Sequence, residues 1–210
     1  MGSLLRNMAV GALLVAAQLP AFAQTDTLDV SNGEVIASGS WDDGNFSITY
    51  NVMAMGNEVM YTYTLNVPDT PAVSHWILEL CPELVLDDGG SFDNDEFQVT
   101  MGTHGSLAVG SFGPGSGNPG FPDGASITGV KFDETTGVGD VVFKVITHTL
   151  PEEGSFYAKG GSANFAYNSG LDSGDDFILV PGCDIIPEPT SFVLAALGIA
   201  SAGMILRRRR

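Results

Sequence analysis

The chain has 210 residues, with 25 acids against 8 bases and a formal net charge of −17. That length supports one core of ordinary size. The charge repels nucleic-acid phosphates and anionic membrane surfaces, which excludes polyanion binding as a function.

The N-terminus reads as a secretory signal. Arg6 supplies a positive n-region, Met8 to Ala17 an apolar stretch, and Ala21-Phe22-Ala23 a small-x-small cleavage site. A signal peptide over residues 1–23 is therefore predicted, with Pro20 breaking its helix and Gln24 starting the mature protein.

From there the periodicity is that of strands. Phe46, Ile48, Tyr50 and Val52 alternate with polar residues, as do Val59, Tyr61, Tyr63 and Leu65, and Gly56-Asn57 between them predicts a tight hairpin. Further strands are expected at Val30 to Ser38, Val73 to Cys81, Phe97 to Met101, Ile127 to Phe132, Val141 to Thr149, Ser155 to Lys159 and Phe177 to Val180. Short strands between Gly, Asp and Asn clusters, without an amphipathic helix, predict an all-β fold: an antiparallel β-sandwich over residues 24–185. The 27 glycines suit a chain of many tight turns.

Gly110 to Gly124 holds six Gly and three Pro, and is expected to be a long surface loop or a partly disordered excursion. Its Gly115-Ser116-Gly117-Asn118-Pro119-Gly120 formally matches a dinucleotide-binding fingerprint. The match carries no function, because no parallel strand precedes it, no helix follows it and Pro119 interrupts it.

Catalytic signatures are absent: there is no Gly-x-Ser-x-Gly elbow and no His-Glu-x-x-His helix. His75, His104 and His148 are scattered singly, without metal-ligand spacing. Adjacent acids such as Asp42-Asp43, Glu152-Glu153 and Asp175-Asp176 are what an acidic chain places in solvated turns, and they point weakly to glycosidase chemistry. No enzymatic activity and no cofactor are expected.

Calcium is the best-motivated ligand. Asp87, Asp88, Asp93 and Asp95 gather hard oxygen donors on glycine-rich turns, and Asp172, Asp175 and Asp176 form a second cluster. Neither follows the twelve-residue EF-hand pattern, and solvated acidic turns are the commoner outcome for such clusters, with bound calcium the alternative. For carbohydrate stacking there are Trp41, in a turn and a candidate for exposure, and Trp76, whose apolar run suits a core.

Cys81 and Cys183 lie 102 positions apart, and an even count in an exported chain favours a disulfide over a reactive thiol or a metal pair. Such a bond would stabilise the fold by about 4 to 5 kcal/mol in the chain-entropy model.

The C-terminus carries a second address. Pro187-Glu188-Pro189 precedes an apolar stretch from Phe192 to Leu206 that stops at Arg207-Arg208-Arg209-Arg210. A short apolar helix of this kind can cross a bilayer, and four arginines stay on the cytoplasmic side because each costs several kcal/mol to bury in hydrocarbon. Residues 186–210 resemble the PEP-CTERM sorting signal of bacterial exported proteins. The resemblance implies recognition by an exosortase, a membrane-embedded cysteine peptidase, with cutting near the triplet. It also implies an inner-membrane precursor and delivery to the surface or extracellular matrix of a Gram-negative bacterium that makes exopolysaccharide. Without both terminal segments, 24 acids face only Lys131, Lys144 and Lys159, a net charge near −21.

The Ser74–Cys81, Thr128–Asp133, Tyr157–Gly161 and Pro181–Cys183 segments also resemble a pattern in uncharacterised secreted bacterial domains. That likeness implies pairing of the two cysteines and no known activity. The expected function is a non-catalytic structural or adhesive surface protein. A polysaccharide- or calcium-binding module is the alternative, and a matrix-polymer hydrolase the third reading.

Overall fold

A computed structural model of the chain describes residues 22–43, 46–68, 70–85, 97–101, 105–115 and 117–186. The five-stranded sheet runs β1 (Ala23–Asp29), β3 (Ser47–Met55), β4 (Glu58–Val67), β9 (Gly139–Thr147) and β6 (Phe97–Met101). The six-stranded sheet runs β2 (Val35–Ala37), β12 (Asn164–Asn168), β11 (Phe156–Gly160), β5 (Val73–Glu79), β8 (Ile127–Gly137) and β7 (Ser106–Phe112). A two-stranded ribbon of β10 (Thr149–Gly154) and β13 (Ile178–Ile185) completes the fold, and every strand pairing is antiparallel. Helix among the described residues is limited to the turn Pro82–Val85 and two short 3-10 segments. The fold class is all-β, as the sequence predicts.

Alternation decides which face each strand buries. Ile48, Tyr50 and Val52 on β3, Tyr61, Tyr63 and Leu65 on β4, and Val141, Phe143 and Val145 on β9 are all buried. In the six-stranded sheet Trp76 and Leu78 of β5, Val130 and Phe132 of β8, and Phe156 and Ala158 of β11 are buried as well. Ring contacts cross between the sheets: Trp76 lies 4.8 Å from Phe143 and 5.6 Å from Tyr63, while Phe132 stacks on it at 4.9 Å within its own sheet. Sequence distance is no obstacle to this core, since period-2 alternation points all these side chains the same way.

The β3–β4 hairpin closes on Gly56-Asn57, with Met55 opposite Glu58 and Gly56 at φ 74°, a conformation that costs glycine nothing. The expected strand at 30–38 contracts to Val35–Ala37, because a turn at 30–34 and the 3-10 segment Gly39–Trp41 occupy its ends. Four strands go beyond the sequence reading. β1 buries only Leu28, β7 buries none of its side chains fully, β10 exposes the adjacent Glu152 and Glu153, and β12 is five residues long, so none shows a strong apolar alternation.

The 110–124 segment is not an excursion. Gly110, Ser111 and Phe112 belong to β7, and the described residues that follow, Asn118, Pro119 and Phe121 among them, pack on the outer face of the six-stranded sheet. There Phe121, with Phe112 and Ala125 beside it, joins Ile77, Ile127, Tyr157, Tyr167 and Leu171 in a second apolar cluster. Gly120 sits at φ 70°, and a Cβ there would meet the Phe165 ring at 2.0 Å, so only glycine fits.

Candidate functional site

β13 leads the chain towards the C-terminal address, and it is tied down along its length. It pairs with β10, with Glu152 opposite Val180 and Thr149 opposite Ile185. Ile178 and Val180 are fully buried, the Tyr63 hydroxyl donates to the Leu179 carbonyl at 2.9 Å, and the Cys81 N–H donates to the Pro181 carbonyl at 3.3 Å. Cys81 and Cys183 are disulfide-bonded, with sulfurs 2.00 Å apart. Cys81 lies just beyond β5, a central strand of the six-stranded sheet, so the bond connects β13 to the middle of the fold.

The last described residue is held as well. Ile186 is 4% exposed, and its N–H donates to the His148 carbonyl at 2.7 Å. His148 in turn donates from Nδ1 to the Asn57 carbonyl, 3.0 Å away in the β3–β4 turn. Pro187, Glu188 and Pro189 follow immediately; they, the apolar stretch and the arginine tail lie outside the described residues, as do residues 1–21. No helix among the described residues is long and apolar enough to cross a membrane.

The other candidates disperse. Asp87, Asp88, Asp93, Asp95 and His104 lie outside the described residues. Asp176 accepts from the Ser169 hydroxyl at 2.7 Å, and its carbonyl accepts from Asn168 Nδ2 at 2.8 Å, so this acid of the second cluster holds its own turn. Glu152 and Glu153 are neighbours on β10, so alternation points them to opposite faces. Among the described residues Cys81, Glu83 and Cys183 bring ligand-type atoms within 4.8 Å, but both sulfurs are spent in the disulfide. Trp41 is fully buried, 5.0 Å from Phe46, with Nε1 donating to the Pro71 carbonyl at 3.2 Å. It is a core residue and offers no sugar platform; Trp76 is core too.

A polar contact missed from sequence sits under the 113–125 loop. His75, on the outer face of β5, is 6% exposed, and its Nε2 meets Asn118 Oδ1 at 3.1 Å. Asn118 Nδ2 donates to the Gly113 carbonyl at 3.0 Å, and the Tyr157 hydroxyl donates to the Pro119 carbonyl at 2.7 Å. Burial first, then the charge of Lys131, pushes the His75 pKa down to about 4, so the ring is neutral and Nε2–H is the donor to Asn118. An Asn flanked by Gly and Pro was the one signal available, and it reads equally well as a solvated turn. Burial also raises the pKa of Glu79, whose carboxylate accepts from the Ser155 N–H at 2.7 Å. Tyr61, Tyr63 and Tyr157 are pushed upward by burial, which keeps these phenols protonated.

An open cleft of about 520 Å³ is lined by Ser40, Asp43, Asn66, Pro68, Thr70 and Gly139. Two of its polar groups are engaged: Ser40 Oγ donates to the Thr70 carbonyl at 2.7 Å, and Asn66 Nδ2 donates to Asp140 Oδ1 at 3.0 Å.

No curated protein and no solved structure matches the chain. Residues 186–210 match the PEP-CTERM protein-sorting motif, the type of signal that exosortases recognise. The chain is thus an exported protein targeted to an exosortase and processed at the membrane, with a β-sandwich ahead of its sorting motif.

Proposed function

We propose that the ectodomain is a non-catalytic structural or adhesive component of the cell surface or extracellular matrix. The observation that carries this reading is the clamp on the exit strand. Cys183 lies three residues before the matched motif and is bonded to Cys81 beside a central strand. Tension applied at the motif would therefore pass through a covalent bond into the body of the sandwich instead of peeling β13 away from β10. A net charge near −21 on the exported part keeps it soluble and hydrated among acidic polymers.

The test is an in-frame deletion of residues 24–185 that keeps both terminal signals. Loss of matrix cohesion or surface attachment is expected, restored by the full chain and restored poorly under shear by the Cys81→Ala/Cys183→Ala pair. Normal cohesion in the deletion strain, or turnover of matrix polymers by the purified ectodomain, would count against it.

The open polar cleft favours a second reading, a module that binds polysaccharide there, with Ca²⁺ at the acidic turns as the other candidate ligand. If Asp87 to Glu96 holds calcium, millimolar CaCl₂ should raise the melting temperature more than NaCl of equal ionic strength, and Asp93→Asn with Asp95→Asn should remove the excess. Equal responses would reduce that loop to solvated acids.

A further inference from the structure

We propose that the fold itself sets the N-terminal limit of the sorting cut: the exosortase takes its substrate from Pro187 onward, and opening of the Ile186–His148 bridge controls how fast it does so. This rests on the exosortase route established by the motif and is independent of the structural or adhesive role.

A peptidase binds its substrate as an extended strand and engages the backbone N–H and carbonyl groups of several residues on each side of the cut. Residues already committed to a ladder cannot offer those groups until they open. Here the ladder runs to the boundary of the motif. Ile185 pairs with Thr149, the Ile186 N–H is given to the His148 carbonyl, and the Ile186 side chain is buried. The receiving residue is itself fixed, because His148 is bonded to the Asn57 carbonyl of the β3–β4 turn.

The disulfide divides this exit into two zones. Upstream of Cys183 the strand cannot leave the body while the bond to Cys81 stands, even if its ladder bonds open. Downstream, Asp184, Ile185 and Ile186 are free to peel as a unit, and Ile185 is 62% exposed, so little apolar burial resists its movement. What holds this short unit is the pairing of Ile185 with Thr149 and the Ile186 anchor, one backbone bond and one buried side chain. Proteolysis of a segment that opens rapidly follows the population of its open form, so the anchor tunes the cutting rate. In the cut itself, the carbonyl carbon of the broken bond leaves its nitrogen, which takes up a proton as the new amine of the membrane tail. The acyl group passes to water or to another nucleophile, and either product leaves the last retained residue readable by mass.

The experiment uses the full chain in a host with its exosortase. Pulse–chase follows the precursor, and mass spectrometry reads the C-terminal peptide of the exported form. The last retained residue should be Pro187 or later. A four-residue Gly-Ser insertion between Ile186 and Pro187, which leaves the fold untouched, should shorten the precursor half-life several-fold. A product ending at Ile186 or upstream, or a half-life unchanged by the insertion, overturns the inference while leaving the sorting route intact. Normal processing of Glu188→Ala would instead break the sorting assignment, and the inference with it.

Discussion

The six-stranded sheet has two faces, and they are covered by different means. Its inner face meets another sheet, and Trp76, Phe132, Phe143 and Tyr63 fill the gap with stacked and tilted rings. Its outer face meets a Gly- and Pro-rich loop, which cannot interdigitate along its length and attaches at points: Phe121 in the apolar cluster, Asn118 on His75, and the Pro119 carbonyl on the Tyr157 hydroxyl. A sheet-to-sheet core spreads its energy over many contacts, whereas a loop-to-sheet contact concentrates it in a few polar bonds and one ring. The two faces should therefore fail differently.

The inner face should give the largest effect. Trp76→Ala removes a fully buried indole and should cost about 3–5 kcal/mol in urea unfolding, lost globally and cooperatively. Trp76→Phe should cost far less, about 1 kcal/mol, for a reason specific to this site. The indole N–H has no hydrogen-bond partner among the described residues, so its removal offsets part of the lost packing. If Trp76→Phe and Trp76→Ala were equally destabilising, that offset would be disproved.

The outer face should reveal itself through pH. With a pKa depressed from 6.5 to about 4, His75 stays neutral in the fold while the unfolded chain takes up a proton below about 6.5. Stability should therefore fall as pH drops from about 6.5 to about 4 and level off below, a total contribution of about 3 kcal/mol. Protonation of carboxylates changes stability over the same range, so the measurement is the difference between the wild type and His75→Gln across pH 7 to 4. Parallel curves for the two proteins would mean that His75 titrates normally and that the contact with Asn118 does not exclude water.

The same contrast explains what could be read from the residues alone. Strands with clean alternation, β3, β4 and β9, are legible because burial on one face imposes a period of two, and the Gly56-Asn57 pair marks their turn. β1 and β12 escape notice for different reasons: β1 contributes Leu28 alone to the core, and β12 is five residues long with Phe165, Ala166 and Tyr167 in an unbroken apolar run that shows no alternation. The 113–125 loop is illegible for a different reason. Nothing in Gly-Pro-Gly-Ser-Gly-Asn-Pro-Gly distinguishes a solvated excursion from a packed strap; the distinction lies in Phe121 and in a histidine far away in sequence. Trp41 misleads likewise, since the acids after it suggest a wet turn while Phe46 and the Pro71 carbonyl bury its ring. The sorting address is the opposite case. It is legible because a sorting motif is recognised as a linear string, and only the abutment of Ile186 on His148 needed the structure.

Phe121→Ala tests whether the loop stands or falls as a unit. It should cost about 2 kcal/mol, below the usual range for a buried Phe because a loop can collapse into the space left behind. Amides of the 113–125 segment should exchange faster, while those of β4 and β9 stay protected. Equal loss of protection in both regions would show that the loop is integral to the core and that the two faces are not separable.

The smallest effect should come from Tyr157→Phe. The phenol bond to the Pro119 carbonyl is 2.7 Å long, its ring lies 5.0 Å from Phe121, and the substitution removes only the hydroxyl, leaving that ring contact and the inner core in place. A single neutral hydrogen bond is worth about 1 kcal/mol net, and the carbonyl left behind regains water if the loop shifts slightly. The expected loss is therefore about 1 kcal/mol or less, and it should not add fully to that of Phe121→Ala, because both groups hold the same strap. In a double-mutant cycle the pair should show coupling, whereas Tyr157→Phe combined with the inner-face Trp76→Phe should be nearly additive. Strong coupling across the sheet would mean that the strap also organises the inner core, and the division between the two faces would have to be abandoned.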